Sequence, residues 1–149
     1  MKPEISDETF GLLRQWPHNP NSYAGQVNLR FDALIEIFIC LECSPETESV
    51  ENIMSHARLI FAALQTHEGA IRRVVANEHL PLYNECWLQS PDDVLTMDEF
   101  LGEMTIESVE LCPGGESKIS YTVGERFTDH TLITYFNDQC EVTHIDFAG

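Results

Sequence analysis

Ala33-Leu34-Ile35-Glu36-Ile37-Phe38-Ile39-Cys40-Leu41-Glu42 is the stretch whose reading decides the fold. Its odd positions, Ala33, Ile35, Ile37, Ile39 and Leu41, are all apolar, whereas Leu34, Glu36, Phe38, Cys40 and Glu42 are mixed. A period of two sends alternate side chains to opposite faces, so the segment predicts a β-strand with one face on a core. Upstream, Gln26 to Phe31, with Val27, Leu29 and Phe31 in phase, predicts its hairpin partner, and Phe10 to Trp16 a third strand. Pro17-His18-Asn19-Pro20-Asn21-Ser22 between them is turn chemistry.

Downstream the period changes. Ser44-Pro45-Glu46-Thr47 combines a cap residue, a first-turn proline and acids, and predicts a helix start. Val50, Ile53, Met54, Ala57, Ile60, Phe61 and Leu64 then follow at steps of three and four, which buries one helical face. A second helix is expected from near Glu68, with Ile71, Val74 and Val75 in phase, and Pro81 should break or kink it near His79 because proline lacks the amide and its ring clashes with the preceding turn. Leu82, Tyr83, Cys86 and Trp87 resume the stripe, Ser90-Pro91-Asp92-Asp93 starts another turn, and Thr96-Met97-Asp98-Glu99 is a capping box for a short helix ending near Gly102 to Met104. Strands are expected again at Thr105 to Cys112, Ser117 to Val123, Thr131 to Phe136 and Glu141 to Phe147. Strands, then helices, then strands without βαβ alternation predict an α+β class: a mainly antiparallel sheet built from N-terminal and C-terminal strands, with two to three helices packed on one face, in a single domain over residues 1–149.

Several short stretches carry a family likeness: Asn84-Glu85-Cys86-Trp87, the Asp98-Glu99-Phe100 helix ahead of Ile106-Glu107-Ser108-Val109, Phe127-Thr128-Asp129-His130, and the terminal Asp146-Phe147-Ala148-Gly149. In these the C-terminal half resembles the bacterial family catalogued as domain of unknown function 2262. Asp129 stands where that family is expected to carry glycine before the histidine. The resemblance implies an α+β bacterial domain and brings no chemistry with it.

The 149 residues hold 25 acidic and 8 basic side chains, a formal net charge of −17. That balance argues against binding a nucleic-acid backbone or an anionic membrane directly, since both need basic patches. The apolar fraction of 43% separates the chain from disordered acidic segments. No apolar run is long enough to span a membrane, and the acidic, polar start is unlike a signal peptide, so a cytoplasmic location is expected. Five scattered cysteines fit a reducing compartment.

Catalytic signatures are sparse. Cys40-Leu41-Glu42-Cys43 lacks the second ligand pair of a zinc site and does not open a helix as a thioredoxin-type motif would. Residues three apart on a strand point to opposite faces, so the two thiols should diverge unless the strand ends at Glu42. No phosphate-cradling glycine loop, nucleophile elbow or EF-hand pattern occurs, and no cofactor or metal is expected. His56 beside the first helical stripe, and His67 and His79 at helix ends, read as surface or capping residues. Trp87 is expected in the core, whereas Trp16, ahead of Pro17 at a strand end where exposure is easy, is left open between core and surface.

Acid placement is the remaining signal. Sixteen of the 25 acids lie in two stretches without a base, between Arg30 and Arg58 and between Arg73 and Lys118. Acids in first helical turns suit the helix dipole, but that reason does not reach Glu103, Glu107 or Glu110. The sequence therefore points to a protein-binding inhibitor, of the immunity or antitoxin kind, that presents Asp98, Glu99, Glu103, Glu107 and Glu110 to a basic partner such as a toxin or a nucleic-acid-binding enzyme. The alternative is a small hydrolytic or metal-dependent enzyme centred on Asp129, His130, His144 and Asp146 in the final hairpin.

Overall fold

The computed structural model describes residues 3–29, 33–44, 47–128 and 130–148. Strands β1 (Glu4–Asp7), β2 (Gly11–Trp16), β3 (Asn19–Leu29), β4 (Ala33–Cys40), β5 (Met104–Leu111), β6 (Ser117–Val123), β7 (Thr131–Phe136) and β8 (Val142–Ala148) lie side by side in chain order in one eight-stranded sheet. Neighbours pair antiparallel except β4 and β5, which run parallel from Glu36↔Ser108 to Ile39↔Leu111. The chain between them forms helix α1 (Val50–Cys86), a 3-10 turn (Pro91–Asp93) and helix α2 (Met97–Glu103). The class is α+β.

The decisive strand behaves as its alternation requires. Ile35, Ile37 and Ile39 are buried, at 4%, 0% and 0% exposure, whereas Leu34 on the other face is 64% exposed. The helical stripe packs on that buried face: Ile53, Met54, Ala57, Ile60, Phe61 and Leu64 of α1 join the same core as Ile37, Val109, Ile119 and Leu132 of four different strands. Both edges of the sheet reach the same turn of α1. Arg58 forks onto Asp7 at the end of β1, and His56 Nε2 lies 2.8 Å from Asp138 in the β7–β8 turn. The sheet therefore curls around the helix, and the edge strands, which would otherwise offer unpaired backbone, are brought against it.

Four expectations are corrected. The helical region is one continuous 37-residue helix, with neither the second start expected near Glu68 nor a break at Pro81. Pro81 is on the exposed side, as is Asn77, whose carbonyl loses its bonding partner there and can turn to water. Ile71, Val75, Ala76, His79 and Tyr83 form an unbroken buried stripe that holds both sides of the proline to the core. His79 is thus a buried mid-helix residue, its Nδ1 donating to the Val75 carbonyl (3.0 Å), and not an end cap. The helix is capped by Ser49, whose hydroxyl accepts from Asn52 N (3.1 Å), because Ser44 instead donates to the Pro113 carbonyl (2.8 Å); Pro45 and Glu46 lie outside the described residues. Strand β3 begins at Asn19, so its turn after β2 is tighter than expected, and β1 was not anticipated. Phe31 of the expected hairpin lies outside the described residues.

The capping box forms as read: Glu99 N donates to the Thr96 hydroxyl (3.2 Å) and Thr96 N to the Glu99 carboxylate (3.0 Å). No helix among the described residues is long and apolar enough to cross a membrane.

Two measurements test this frame. Pro81→Ala should stabilise the protein by about 1–2 kcal/mol in urea unfolding, since alanine restores the missing amide in a continuous helix and gives back part of the gain through a freer unfolded chain; no change would fit a helix broken there. Asp7 is the second. Burial pushes its carboxyl up, and the Arg58 guanidinium with the Thr9 and Phe10 amides more than reverses this, leaving it below the usual value. A lowered folded-state pKa contributes stability that is complete above the unfolded value and lost as pH falls through the folded one. Asp7→Asn should therefore cost about 2–3 kcal/mol at neutral pH, a gap that stays constant down to about pH 5 and closes below roughly pH 4.

Candidate functional site: an acid-rimmed cleft at the end of the long helix

The C-terminal turns of α1 carry Tyr83, Asn84 and Trp87, and each has a separate task. Trp87 closes the helix, its amide donating to the Tyr83 carbonyl (2.9 Å). Asn84 grips the chain that leaves the helix: its Nδ2 donates to the Leu95 carbonyl (3.1 Å) and its Oδ1 accepts from Leu95 N (3.0 Å). That pair fixes the 3-10 turn and the start of α2 beside α1. Tyr83 is 2% exposed, with its hydroxyl donating to the Asp93 carbonyl (3.2 Å).

The opposite wall comes from α2 and the β6–β7 connection. Arg126 forks onto Glu103, Nε to Oε1 at 2.9 Å and Nη2 to Oε2 at 3.0 Å, while its Nη1 donates to the Tyr83 hydroxyl at 3.2 Å. Tyr83, Trp87, Gln89, Asp93, Glu103, Glu125 and Arg126 together enclose a cleft of about 410 Å³. Glu99 lies one helical turn before Glu103 on the same face of α2. The Thr96 backbone amide and hydroxyl, with Arg126 nearby, hold the Glu99 carboxyl below the usual carboxylate range. Behind the cleft an aromatic stack makes the floor rigid: Phe127 meets Tyr83, Trp87 and Phe147 edge-on at 5.7, 5.4 and 5.2 Å between ring centres. Trp87 is half-buried and packs on the core, as expected for it, and Trp16 is 37% exposed.

The cleft is lined mainly by polar groups, with an anionic rim whose arginine, Arg126, is already paired with Glu103 and lies over the buried Tyr83 ring, leaving the half-buried Trp87 as its accessible aromatic. Such a site suits a cationic group that can pair with carboxylates and lie over a ring. A larger cavity of about 630 Å³ lies between β4, α1 and β5, but its buried carboxylate, Glu68, is taken up by Arg72 (2.7 Å) and the Tyr121 hydroxyl (3.2 Å).

The five acids singled out in the sequence fall in three settings. Asp98 and Glu99 are exposed on α2, and Glu103 forms the ion pair of the cleft. Glu107 is exposed at the register shift in β5, and Glu110 faces away from α1 beside Lys118 (3.3 Å). The histidines also separate. His130 stacks on Phe147, with ring centres 4.6 Å apart and planes 5° from parallel, and joins the aromatic floor. His144 and Asp146 contact each other at 2.9 Å, on the face of β8 away from Phe147, where His144 also meets Tyr135. Asp129 lies outside the described residues. Among the described residues no group of three or more His, Cys, Asp or Glu is arranged to hold a metal ion.

Sequence reading missed Asn84 as a clamp, Glu125, and above all Arg126. The available signal was that Arg126 is the first base after Lys118, next to the family stretch that starts at Phe127.

The family model for uncharacterized proteins conserved in bacteria, DUF2262, matches residues 7–147. The chain belongs to that family. The match spans nearly the whole DUF2262 chain, beyond the C-terminal half where the motifs suggested it, and takes in the complete cleft as well as β2 to β4. No curated protein and no solved structure matches it.

Asn84→Ala should cost about 1–3 kcal/mol, because the Leu95 amide and carbonyl lose their partner, and it should raise hydrogen exchange across 90–96 while leaving β2 and β3 protected. Uniform loss of protection would mean that the clamp serves the whole fold and not the cleft alone.

Proposed function

We propose that this protein is a binding module that acts as an inhibitor, of the immunity or antitoxin kind, by holding a basic partner protein such as a toxin or a nucleic-acid-binding enzyme. The cleft carries the reading: three carboxylates, Asp93, Glu103 and Glu125, stand around an aromatic pair with one internally neutralised arginine. A lysine or arginine side chain of the partner enters beside Trp87, pairs with Asp93 or Glu125, and gains cation–π contact with the Trp87 ring. Asp98 and Glu99 extend the negative field along α2, and Glu107 adds to it from β5.

The rest of the charge distribution supports this. Five of the eight basic residues, Arg14, Arg58, Arg72, Lys118 and Arg126, are each within 4 Å of a carboxylate of this chain. The surplus of acids therefore faces solvent with little internal compensation. Opposite charge speeds encounter with a basic protein by factors that fall with salt, and a buried aromatic anchor slows release. Occluding an enzyme needs complementarity and no reaction centre.

Two steps test it. Cross-linking and co-purification in the native bacterium, at low and at high salt, should recover a basic protein whose retention falls steeply with salt. With that protein in hand, Asp93→Asn/Glu125→Gln and Trp87→Ala should each weaken binding by at least about tenfold, equal to about 1.4 kcal/mol. Glu141→Gln, at an exposed site on the β7–β8 turn, should leave it unchanged. Equal loss in all three variants, or recovery of acidic partners only, sinks the proposal.

A further inference from the structure

A separate group of side chains gathers at the other end of β5. Strand β4 ends at Cys40, two residues before Glu42, and the chain then turns through 41–44 and docks on the β5–β6 turn. Leu41 N donates to the Asn21 carbonyl (2.9 Å), and the Ser44 hydroxyl to the Pro113 carbonyl (2.8 Å). This early ending overturns the expected divergence of the Cys40-Leu41-Glu42-Cys43 thiols. Cys43 Sγ comes to 2.9 Å from Cys112 Sγ, whose thiol donates to it. Cys40 and Cys112 are 4% and 6% exposed, while Cys43 is open to solvent.

The turn beneath is shaped for these sulfurs. Gly114 has φ +89°, and a Cβ there would lie 2.7 Å from the Cys43 carbonyl oxygen. A Cβ on Gly115 would come within 2.7 Å of Cys43 Sγ and 3.5 Å of Cys112 Sγ. Glycine at both positions is what lets the Cys43 loop seat on the Cys112 strand end. A shared metal fits the spacing poorly, since two thiolates bound tetrahedrally at about 2.3 Å stand roughly 3.8 Å apart. A covalent bond requires the sulfurs to close by only about 0.9 Å.

The geometry points to a thiol–disulfide exchange site in which Cys43 and Cys112 are oxidised to a disulfide by low-molecular-weight disulfides. The Cys43 thiolate attacks one sulfur of RSSR, forming a mixed disulfide and releasing RS⁻, which picks up a proton. The Cys112 sulfur then attacks the Cys43 sulfur, and the second RS⁻ leaves and takes up the proton that Cys112 gives up. Two protein thiols become one disulfide while one RSSR becomes two RSH. The neighbouring Cys40 and burial push the Cys112 thiol up, so it reacts after the exposed Cys43.

The test uses the full chain carrying Cys86→Ser, which removes the other exposed thiol. With oxidised glutathione, free thiols should fall by two, the mass should drop by two hydrogens, and a peptide joining Cys43 to Cys112 should appear. Cys43→Ser, an exposed change that spares the core, should give no bridge and no glutathionyl adduct at Cys112. Gly115→Ala should slow bridging with Cys43 still modifiable. A lasting glutathionyl adduct on the parent chain, a bridge between Cys40 and Cys43, or no reaction overturns the site.

Discussion

The parallel register between β4 and β5 is the constraint on which the other features depend. Antiparallel neighbours can follow one another through short connections, and six of the seven pairings here are antiparallel. A parallel neighbour needs a crossover that returns the chain to the same end of the sheet. Residues 41–103 supply it, and most of that length is α1. A 37-residue helix runs about 55 Å, roughly twice the ~26 Å of the eight-residue β4. Its first turns are where the two sheet edges close, through Asp7 and Asp138. Its middle crosses β5 and β6, where Glu68 and Arg72 reach Tyr121 and the Met104 carbonyl. Its last turns run on to the β6–β7 connection, and that surplus makes one wall of the cleft.

Charge and topology are coupled in the same way. The cations that the chain does possess hold distant segments together: Arg58 to β1, Arg72 to the start of β5, Arg126 to α2. Each ties residues at least 23 positions apart, with much of each guanidinium withdrawn from solvent, where a carboxylate contact is screened less than on an open surface. Using bases for internal ties leaves the surface more anionic than composition alone conveys. Of the acids behind the overall charge of −17, Asp93, Glu103 and Glu125 stand around the cleft at the end of α1.

Much of the sheet was legible because a period of two is unambiguous when one face is Ile35, Ile37 and Ile39 and the other holds Glu36. The Thr96 capping box was legible because it is a local exchange of two hydrogen bonds. Pro81 misled because the rule against proline concerns the helix's own backbone, whereas the outcome there was decided by His79 and Tyr83 packing on strands remote in sequence. Ser44 misled for the same reason: a serine ahead of a proline has cap chemistry, but Pro113 lies 69 positions away and takes its hydroxyl. The acids of the expected partner face were correctly seen as concentrated in sequence. Their separation in space followed from the register shift at Glu107 and the outward pleat of Glu110, and neither has a local signature.

The cysteines show how one topological fact can bring together residues with no sequence relation. Ile39 pairs with Leu111, so the next residues in parallel register are Cys40 and Cys112, both on the face away from α1. In an antiparallel pair the same two residues would stand at opposite ends of their strands. Parallel pairing places the carboxyl ends of β4 and β5 together, and the chain leaving β4 must turn at once to begin its crossover, which swings Cys43 over Cys112. The Gly114-Gly115 turn then admits that loop where any larger residue would hold it off. The crossover that carries α1 to the cleft at one end of β5 therefore also assembles the thiols at the other, as consequences of a single pairing.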